Sequence, residues 1–169
     1  AYDFSRFGTI GDIGGGRGHL LKAVLEVAPR ASGVLFDLPP VIEAAKEIAS
    51  NRIRLQAGDF FKDKLPACDV YLLMSVVHDW SDDEAKELLA AVRRAAPSHA
   101  KILVIETVLP EEPKPHLSLL GDVALMAMTT GQARTQREFA TLFSASGFAL
   151  ERKIDTNTEY SILEAAVAA

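Results

Sequence analysis

Two side chains with acid–base chemistry stand at the ends of predicted strands. His78 follows an apolar run that ends at Met74, and Glu106 closes the apolar run 101–106. A carboxylate beside an imidazole orients the ring and stabilises its protonated form, which is the arrangement of a general base. The pair therefore predicts proton abstraction from a substrate. Each residue also has a plain alternative, a hydrogen-bonded surface histidine and a glutamate in an ordinary ion pair.

A glycine cluster precedes this pair in the chain, with the pattern D-x-G-x-G-x-G from Asp12 to Gly18. It lies between an apolar stretch and the amphipathic run 20–27, which predicts a strand, a tight turn and a helix. The glycines permit positive φ and let a ligand approach the main chain. His19 stands where the dinucleotide pattern G-x-G-x-x-G needs its third glycine. The cluster favours a ligand other than a dinucleotide, or is simply a tight strand-to-helix turn.

Acidic and aromatic residues stand at the carboxyl ends of two further predicted strands, where parallel sheets bind ligands. Asp37 is suited to accept the ribose hydroxyls of a nucleoside, or to cap the helix that follows. Asp59 fits the exocyclic amine of adenine or a turn, and Phe60 fits a stacking face or a core position. Asp12 either holds the glycine turn or receives an ammonium group of the ligand.

The elements that must position these residues alternate between strands and helices. The predicted strands are 7–13, 33–37, 52–57, 69–74, 101–106, 148–154 and 160–166. The predicted helices are 17–28, 39–50, 82–96, 117–128 and 137–146, the third opened by a capping box at Ser81 and Glu84 and the last ended by Gly147. This alternation predicts an α/β fold with a doubly wound, Rossmann-like parallel sheet. The short polar connection 155–159 predicts an antiparallel C-terminal hairpin.

Composition narrows the function classes. The chain has 169 residues and a formal net charge of −5, so we expect one domain over residues 1–169 and no nucleic-acid partner. Its apolar runs are too short to span a bilayer, so we expect no membrane partner. Cys68 is the single cysteine. It excludes an internal disulfide and predicts a buried core residue, a reducing compartment and a cytoplasmic location.

Six segments occur in an order that resembles one family. They are DIGGGRG (12–18), FDLPPVIEAA (36–45), AGDFF (57–61), VVHDWSDDEA (76–85), VIETVLPEEP (104–113) and ARTQREFATLFSASGF (133–148). Across nearly the whole chain they are similar to the catalytic domain of the plant-type S-adenosylmethionine (SAM)-dependent O-methyltransferases. That family includes caffeic acid, isoflavone and hydroxyindole O-methyltransferases and their bacterial relatives.

The resemblance implies an enzyme that transfers a methyl group from SAM to a hydroxyl without a metal ion and releases S-adenosylhomocysteine. It assigns His78 as the base and Glu106 as its carboxylate partner. The expected cofactor-binding residues are Asp12, Gly14, Gly16, Asp37, Leu38, Asp59, Phe60 and Met74, and the expected substrate contacts are Asp79, Leu125 and Met128. The family also places a mostly helical dimerisation region before this domain. That region is absent from this sequence. The resemblance implies that the full-length form is a homodimer through it.

Two positions depart from the family pattern. Members usually carry a second glutamate before the Arg-Thr pair, where this chain has Ala133, and a lysine or serine that contacts the cofactor, where it has Met74. These changes leave open a second hypothesis, a SAM-binding module without catalysis that acts as a regulator or scaffold. A third, a nicotinamide-dependent oxidoreductase, is disfavoured by His19 and by the lack of a Tyr-x-x-x-Lys pair.

Acid strengths indicate the acceptor. Moving a proton from a phenol of pKa ~10 to an imidazole of pKa ~6.5 costs ~5 kcal/mol, whereas a hydroxyl as weakly acidic as that of water raises the cost to ~12 kcal/mol. A small aromatic acceptor with a phenolic or enolic hydroxyl is therefore expected. The predicted helix 117–128 carries Leu125, Met126 and Met128 as an apolar wall for it, or as plain core. The four histidines have no metal-ligand spacing.

Overall fold

The structure, a computed structural model, describes residues 2–111 and 131–168. Its strands are β1 (Thr9–Ile13), β2 (Ser32–Asp37), β3 (Ile53–Ala57), β4 (Val70–Met74), β5 (Lys101–Glu106), β6 (Val108–Leu109), β7 (Arg134–Thr135), β8 (Phe148–Asp155) and β9 (Ser161–Val167). Its helices are α1 (His19–Val27), α2 (Pro39–Ala44), α3 (Asp82–Ala95) and α4 (Gln136–Ala145), with 3-10 turns at Lys46–Ile48 and Val77–Asp79. The predicted helix 117–128 lies outside the described residues.

Seven of these strands form one sheet in the order β3-β2-β1-β4-β5-β9-β8. β1 to β5 are parallel to one another, and β9 is antiparallel to both β5 and β8. The predicted α/β sheet with its antiparallel C-terminal hairpin is confirmed. β6 and β7 form a separate parallel pair that nothing in the sequence indicated.

The central strands are buried on both faces, because their apolar runs offer no polar side to water. Tyr71 and Leu73 of β4 pack with α3 and α4 in one core. Val70 and Leu72 point to the opposite face and pack with α1 in a second core. Cys68 is buried in the first core, as the sequence predicts.

Local signals determine where the helices begin and end. The predicted capping box at Ser81 opens α3, and Thr135 and Glu138 form a second one that opens α4. α1 begins at His19 rather than at position 17, because Gly18 is left-handed with φ 71°. α2 was predicted to run to position 50, but it ends at Ala44. Ala45 has φ −104° and ψ 8° there, and a 3-10 turn follows.

Within residues 2–111 and 131–168, no helix combines the length and apolar character that crossing a bilayer requires. In the same residues, no three His, Cys, Asp or Glu side chains come together as a metal site.

Candidate functional site

A cleft of about 280 Å³ opens at the carboxyl edge of the sheet, where the sequence predicts a ligand site. Six of the predicted site residues line it: Gly14, Asp37, Leu38, Asp59, Phe60 and Asp79. Phe61, Ser75, Val76 and Trp80 complete the lining. These four were missed, because an aromatic, a serine and a valine next to a motif carry no signal that separates lining from core.

The glycine turn adopts the predicted backbone. Gly14, Gly16 and Gly18 have φ of 68°, 61° and 71°. A Cβ on Gly14 would stand 3.0 Å from Val76 Cγ2, a tight contact that adds to the preference for glycine at this positive φ. The amide of Gly16 donates to Asp37 Oδ2 at 2.8 Å, which ties the turn to the end of β2.

Asp37 and Asp59 line the cleft, and their carboxylates also accept hydrogen bonds from main-chain amides beside it. Asp37 Oδ1 accepts from the amide of Leu38 at 2.7 Å. The N-cap of α2 is Leu38, which has no side-chain cap bond, so the structure does not give Asp37 the alternative role of a helix cap. Asp59 Oδ1 accepts from the amide of Phe61 at 2.9 Å, which is the predicted turn role.

Aromatic rings form one side of the cleft. Phe60 and Phe61 lie edge-to-face with centroids 4.7 Å apart, and Trp80 contacts both rings at 5.7 and 4.8 Å. Such packing holds each ring at a fixed angle. The cleft is therefore lined both by packed aromatic rings and by the acidic residues Asp37 and Asp59.

Asp12 lies beneath the glycine turn rather than in the cleft. It is buried, and a Cβ on Gly15 would overlap its carboxylate. Within residues 2–111 and 131–168, its Oδ2 atom has no hydrogen-bond partner. Burial raises the pKa of Asp12 to about 7, against the bond from the Leu21 amide, and the charge of Asp37 raises it further. Of the two predicted roles, support of the turn is the one this position favours.

His78 lies on the 3-10 turn between the cleft residues Val76 and Asp79. Burial lowers the pKa of His78, the charge of Asp79 raises it, and that of Arg134 lowers it, with a net value below 6.5. The Nε2 atom lies 3.4 Å from Asp79 Oδ1. The imidazole is therefore neutral at pH 7 and has a carboxylate neighbour on its own turn.

Glu106 was predicted to orient the imidazole, and this prediction is wrong in its contact. Glu106 Oε1 accepts from the main-chain amide of His78 at 3.0 Å, and the nearby amides of Val77 and Val76 act with this bond to lower the pKa of the carboxylate. Burial raises the pKa of Glu106 to about 7 against these bonds. The expectation that Glu106 raises the His78 pKa is overturned for the same reason. The carboxylate lies under the main chain of the turn and not beside the ring.

Arg134 is a residue of this region that sequence reasoning missed. Its side chain is 1% exposed, and Nη2 donates to the carbonyl oxygen of Trp80 at 2.8 Å. Nε donates to Asp82 Oδ1 at 2.9 Å, so the guanidinium joins β7 to the start of α3. An arginine in a polar stretch is predicted to lie on the surface, and no local sequence pattern indicates that this one is buried.

Three predicted contacts lie elsewhere or outside the description. Met74 lines another cavity, with Tyr2, Phe4 and Tyr160 among its neighbours, and not the cleft. Met74 stands two residues after Leu72, so its side chain lies on the same side of the sheet as α1. Leu125 and Met128 lie outside the described residues.

A family model of the O-methyltransferase domain matches residues 1–149. The chain belongs to this O-methyltransferase family. One relative is the phenazine O-methyltransferase of Lysobacter antibioticus, 46% identical over 98% of this chain and 50% of the relative. Human N-acetylserotonin methyltransferase, solved with SAM, superposes with a TM-score of 0.94 at 34% identity, over 99% of this chain and 50% of that one.

A third O-methyltransferase acts in neocarzinostatin biosynthesis and was solved with SAM and 2-hydroxy-5-methyl naphthoic acid. It has a TM-score of 0.88 at 31% identity, over 98% of this chain and 50% of that one. The chain thus spans about half the length of the O-methyltransferases it matches. Membership of this family gives no support to the nicotinamide-dependent alternative.

Proposed function

We propose that the protein transfers a methyl group from SAM to the hydroxyl of a small aromatic acceptor, with His78 as general base and no metal ion. One observation carries this proposal. Asp79, the neighbour of His78, lines the same cleft as Asp37 and Asp59. A base beside the cofactor cleft is what proton removal at the transfer site requires.

The residues of the cleft fit SAM. Asp37 and Asp59 supply carboxylate oxygens for the hydroxyl and amine groups of the nucleoside, and Phe60 supplies an aromatic face for its base. The open backbone of Gly14 and Gly16 admits the amino-acid end of the cofactor. Leu38, half-exposed at the rim, adds apolar surface. When bound, SAM supplies an electrophilic methyl group.

The chain's own residues handle the proton. The acceptor oxygen would gain the methyl group as the sulfur–methyl bond breaks and S-adenosylhomocysteine leaves, and the proton of the hydroxyl would pass to the neutral imidazole of His78. Asp79 Oδ1, 3.4 Å from Nε2, stabilises the imidazolium that forms. Because the pKa of His78 lies below 6.5, the base is weak, and proton and methyl group are expected to move together.

The acceptor class rests on acid strength and on the relatives. With a phenolic or enolic hydroxyl the free-energy cost of proton transfer to the imidazole is ~5 kcal/mol. A hydroxyl as weakly acidic as that of water raises this cost to ~12 kcal/mol. The relatives act in phenazine and neocarzinostatin chemistry, and one was solved with a hydroxynaphthoic acid. Leu125 and Met128 belong to this proposal as the acceptor wall. For the whole protein it includes a cytoplasmic homodimer, which rests on the resemblance and the single cysteine alone.

A second candidate is a SAM-binding module without catalysis. Glu106 binds the main chain of the turn rather than the imidazole, and Ala133 stands where relatives carry a glutamate. His78 then has Asp79 as its carboxylate neighbour in place of the family's pair. This arrangement favours slow chemistry or none.

Paired variants separate binding from chemistry. Asp37→Ala is expected to weaken SAM binding by 10- to 100-fold, about 1.5–3 kcal/mol for hydrogen bonds to a charged group. His78→Ala is expected to keep SAM affinity and lose at least ~10²-fold in kcat. Calorimetry with SAM and methyl release to a panel of phenols measure the two effects. Glu43→Ala, on the exposed side of α2, is the control and should match the wild type.

Each outcome decides between the candidates. SAM binding by the wild type without methyl release to any phenol supports the non-catalytic module. Absence of SAM binding contradicts both candidates. Turnover by His78→Ala at the wild-type rate removes this residue from catalysis and leaves the rest of the proposal standing.

A further inference from the structure

The main chain around His78 lies between strand β4 and helix α3 and has few regular partners for its polar groups. Buried backbone amides and carbonyls need partners, and without a sheet ladder these must come from side chains. Two buried charged residues supply them, one for each kind of group. Glu106 accepts from the amide of His78, and Arg134 donates to the carbonyl oxygens of Val77 and Trp80.

The contacts of Arg134 bracket the base. Nη1 donates to the carbonyl oxygen of Val77 at 3.2 Å, immediately before His78. Nη2 donates to that of Trp80 at 2.8 Å, two residues after it. Nε holds Asp82 Oδ1 at 2.9 Å, which fixes the rotation of the fork. A planar guanidinium with three such bonds has one orientation, which a lysine ammonium does not reproduce.

Residues 131–133, which precede Arg134, also pack closely against the His78 turn and the start of α3. A Cβ on Gly131 would overlap the carbonyl oxygen of His78 and stand 2.6 Å from the carbonyl carbon of Asp79. Gln132 Nε2 donates to Asp82 Oδ1 at 2.8 Å. Contact along residues 131–134 therefore covers the His78 turn from one end to the other.

We propose that Arg134 is a positioning residue for His78, which it holds through the carbonyl groups on either side while it places a positive charge near the ring. The inference rests on the proposed function, in which His78 is the base. Arg134 acts through the turn and is not among the residues that line the cleft. Its guanidinium binds carbonyl oxygens of this turn, and the Glu106 carboxylate binds an amide of the same turn.

Charge gives this arrangement a second consequence. The charged groups packed around the turn in the described residues are Asp79 on the turn, Glu106 below it, Asp82 at the start of α3, and Arg134. The positive charge of Arg134 lowers the pKa of His78, and burial lowers it more. Without Arg134 the ring gains a proton more readily, so the acidic limb of the rate profile moves to higher pH.

Two substitutions separate position from charge. Arg134→Met removes both, so the His78 pKa is expected to rise and kcat to fall by at least ~10-fold. Arg134→Lys keeps the charge but loses the fork, so kcat falls while the pKa stays near that of the wild type. NMR titration of the His78 ring and the pH profile of kcat measure both effects. Arg137→Met, three residues on and exposed, is the control and should change neither.

The outcomes separate this inference from the proposed function. If folded Arg134→Met titrates and turns over like Arg137→Met, the inference is wrong. If the Met variant does not fold, Arg134→Lys and Asp82→Asn decide, and wild-type kcat and pH profile in both overturn it. If the wild type transfers no methyl group, the proposed function fails, and the titration of His78 still tests the role of Arg134.

Discussion

Asp12 is a buried carboxylate with an oxygen that has no hydrogen-bond partner in the described residues. Burial raises its pKa to about 7 from an ordinary 3.8. Between these two pH values the folded protein holds a proton that the unfolded chain releases. Stability therefore falls as pH rises from about 4 to 7, and above 7 the buried charge exerts its full cost, on the order of 4 kcal/mol at most.

Asp12→Asn removes this charge and keeps the shape of the side chain. We expect a free energy of unfolding near that of the wild type at pH 4 and a gain of about 1–3 kcal/mol at pH 8. Urea unfolding at both pH values measures it. Asp83→Asn, on the exposed first turn of α3, is the control and should change the free energy of unfolding by less than about 0.5 kcal/mol at pH 8. A loss of stability by Asp12→Asn at pH 8 would show that the carboxylate is ionised and well paired.

Single residues show where sequence reasoning stops. Asp37, Asp59 and Gly14 were predicted as ligand-binding residues and line the cleft, because strand ends and a glycine pattern are local signals that the parallel sheet brings together. The contact between Glu106 and His78 was predicted at the wrong atoms. Both residues lie at the same edge of the sheet, but the Glu106 carboxylate accepts from the main-chain amide of His78 on the 3-10 turn rather than from its ring. Sequence order says which residues meet and does not say which of their atoms do.

Elements were predictable to the extent that their signals are local. The five parallel strands follow from apolar runs, and α3 follows from its capping box. The pair β6–β7 was missed, since two residues of each strand meet across more than twenty intervening positions and leave no periodicity. The burial of Arg134 on β7 was missed for the same reason. The parts of the site that hold the His78 turn are thus the parts that depend on distant pairing.

The start of α3 tests one of these local signals. Ser81 Oγ accepts from the Glu84 amide at 3.4 Å, and Glu84 Oε2 accepts from the Ser81 amide at 3.1 Å. Ser81→Ala removes the first bond and is expected to lower the free energy of unfolding by about 1 kcal/mol. Urea unfolding measures the change. Ser98→Ala, at an exposed position after α3, is the control and should stay within about 0.5 kcal/mol. Equal effects of the two variants would show that the capping box adds nothing.

At the scale of the molecule, a charge cluster joins the first residues to the last hairpin. Glu164 on β9 is buried, with Arg6 Nη2 at 2.9 Å on one oxygen and Arg152 Nε at 2.7 Å on the other. The hydroxyl of Tyr2 donates to the first oxygen at 2.8 Å. Through Glu164, the segment that contains Arg6 and the strand β8 that contains Arg152 are both bound to β9. The cluster lies away from the cleft, so its effect is expected on stability and not on SAM binding.

Burial acts to raise the pKa of Glu164, but the bonds from Tyr2 and Arg152 and the charges of both arginines outweigh it, and the net value lies below 4.5. Its stabilisation is therefore complete above pH 4.5 and is lost as pH falls through the folded-state pKa. Glu164→Gln is expected to lower the free energy of unfolding by about 1–3 kcal/mol at pH 7, with a difference from the wild type that shrinks toward pH 3.

Urea unfolding across this range measures the difference, and the hairpin offers a matched control. Glu151 on β8 pairs with Lys101 but is half-exposed, so Glu151→Gln should change the free energy of unfolding by less than about 1 kcal/mol. A Glu164→Gln loss that is equally large at pH 3 and pH 7 would assign it to packing. A loss no larger than that of Glu151→Gln would mean that burial of the carboxylate cancels the attraction of its two arginines.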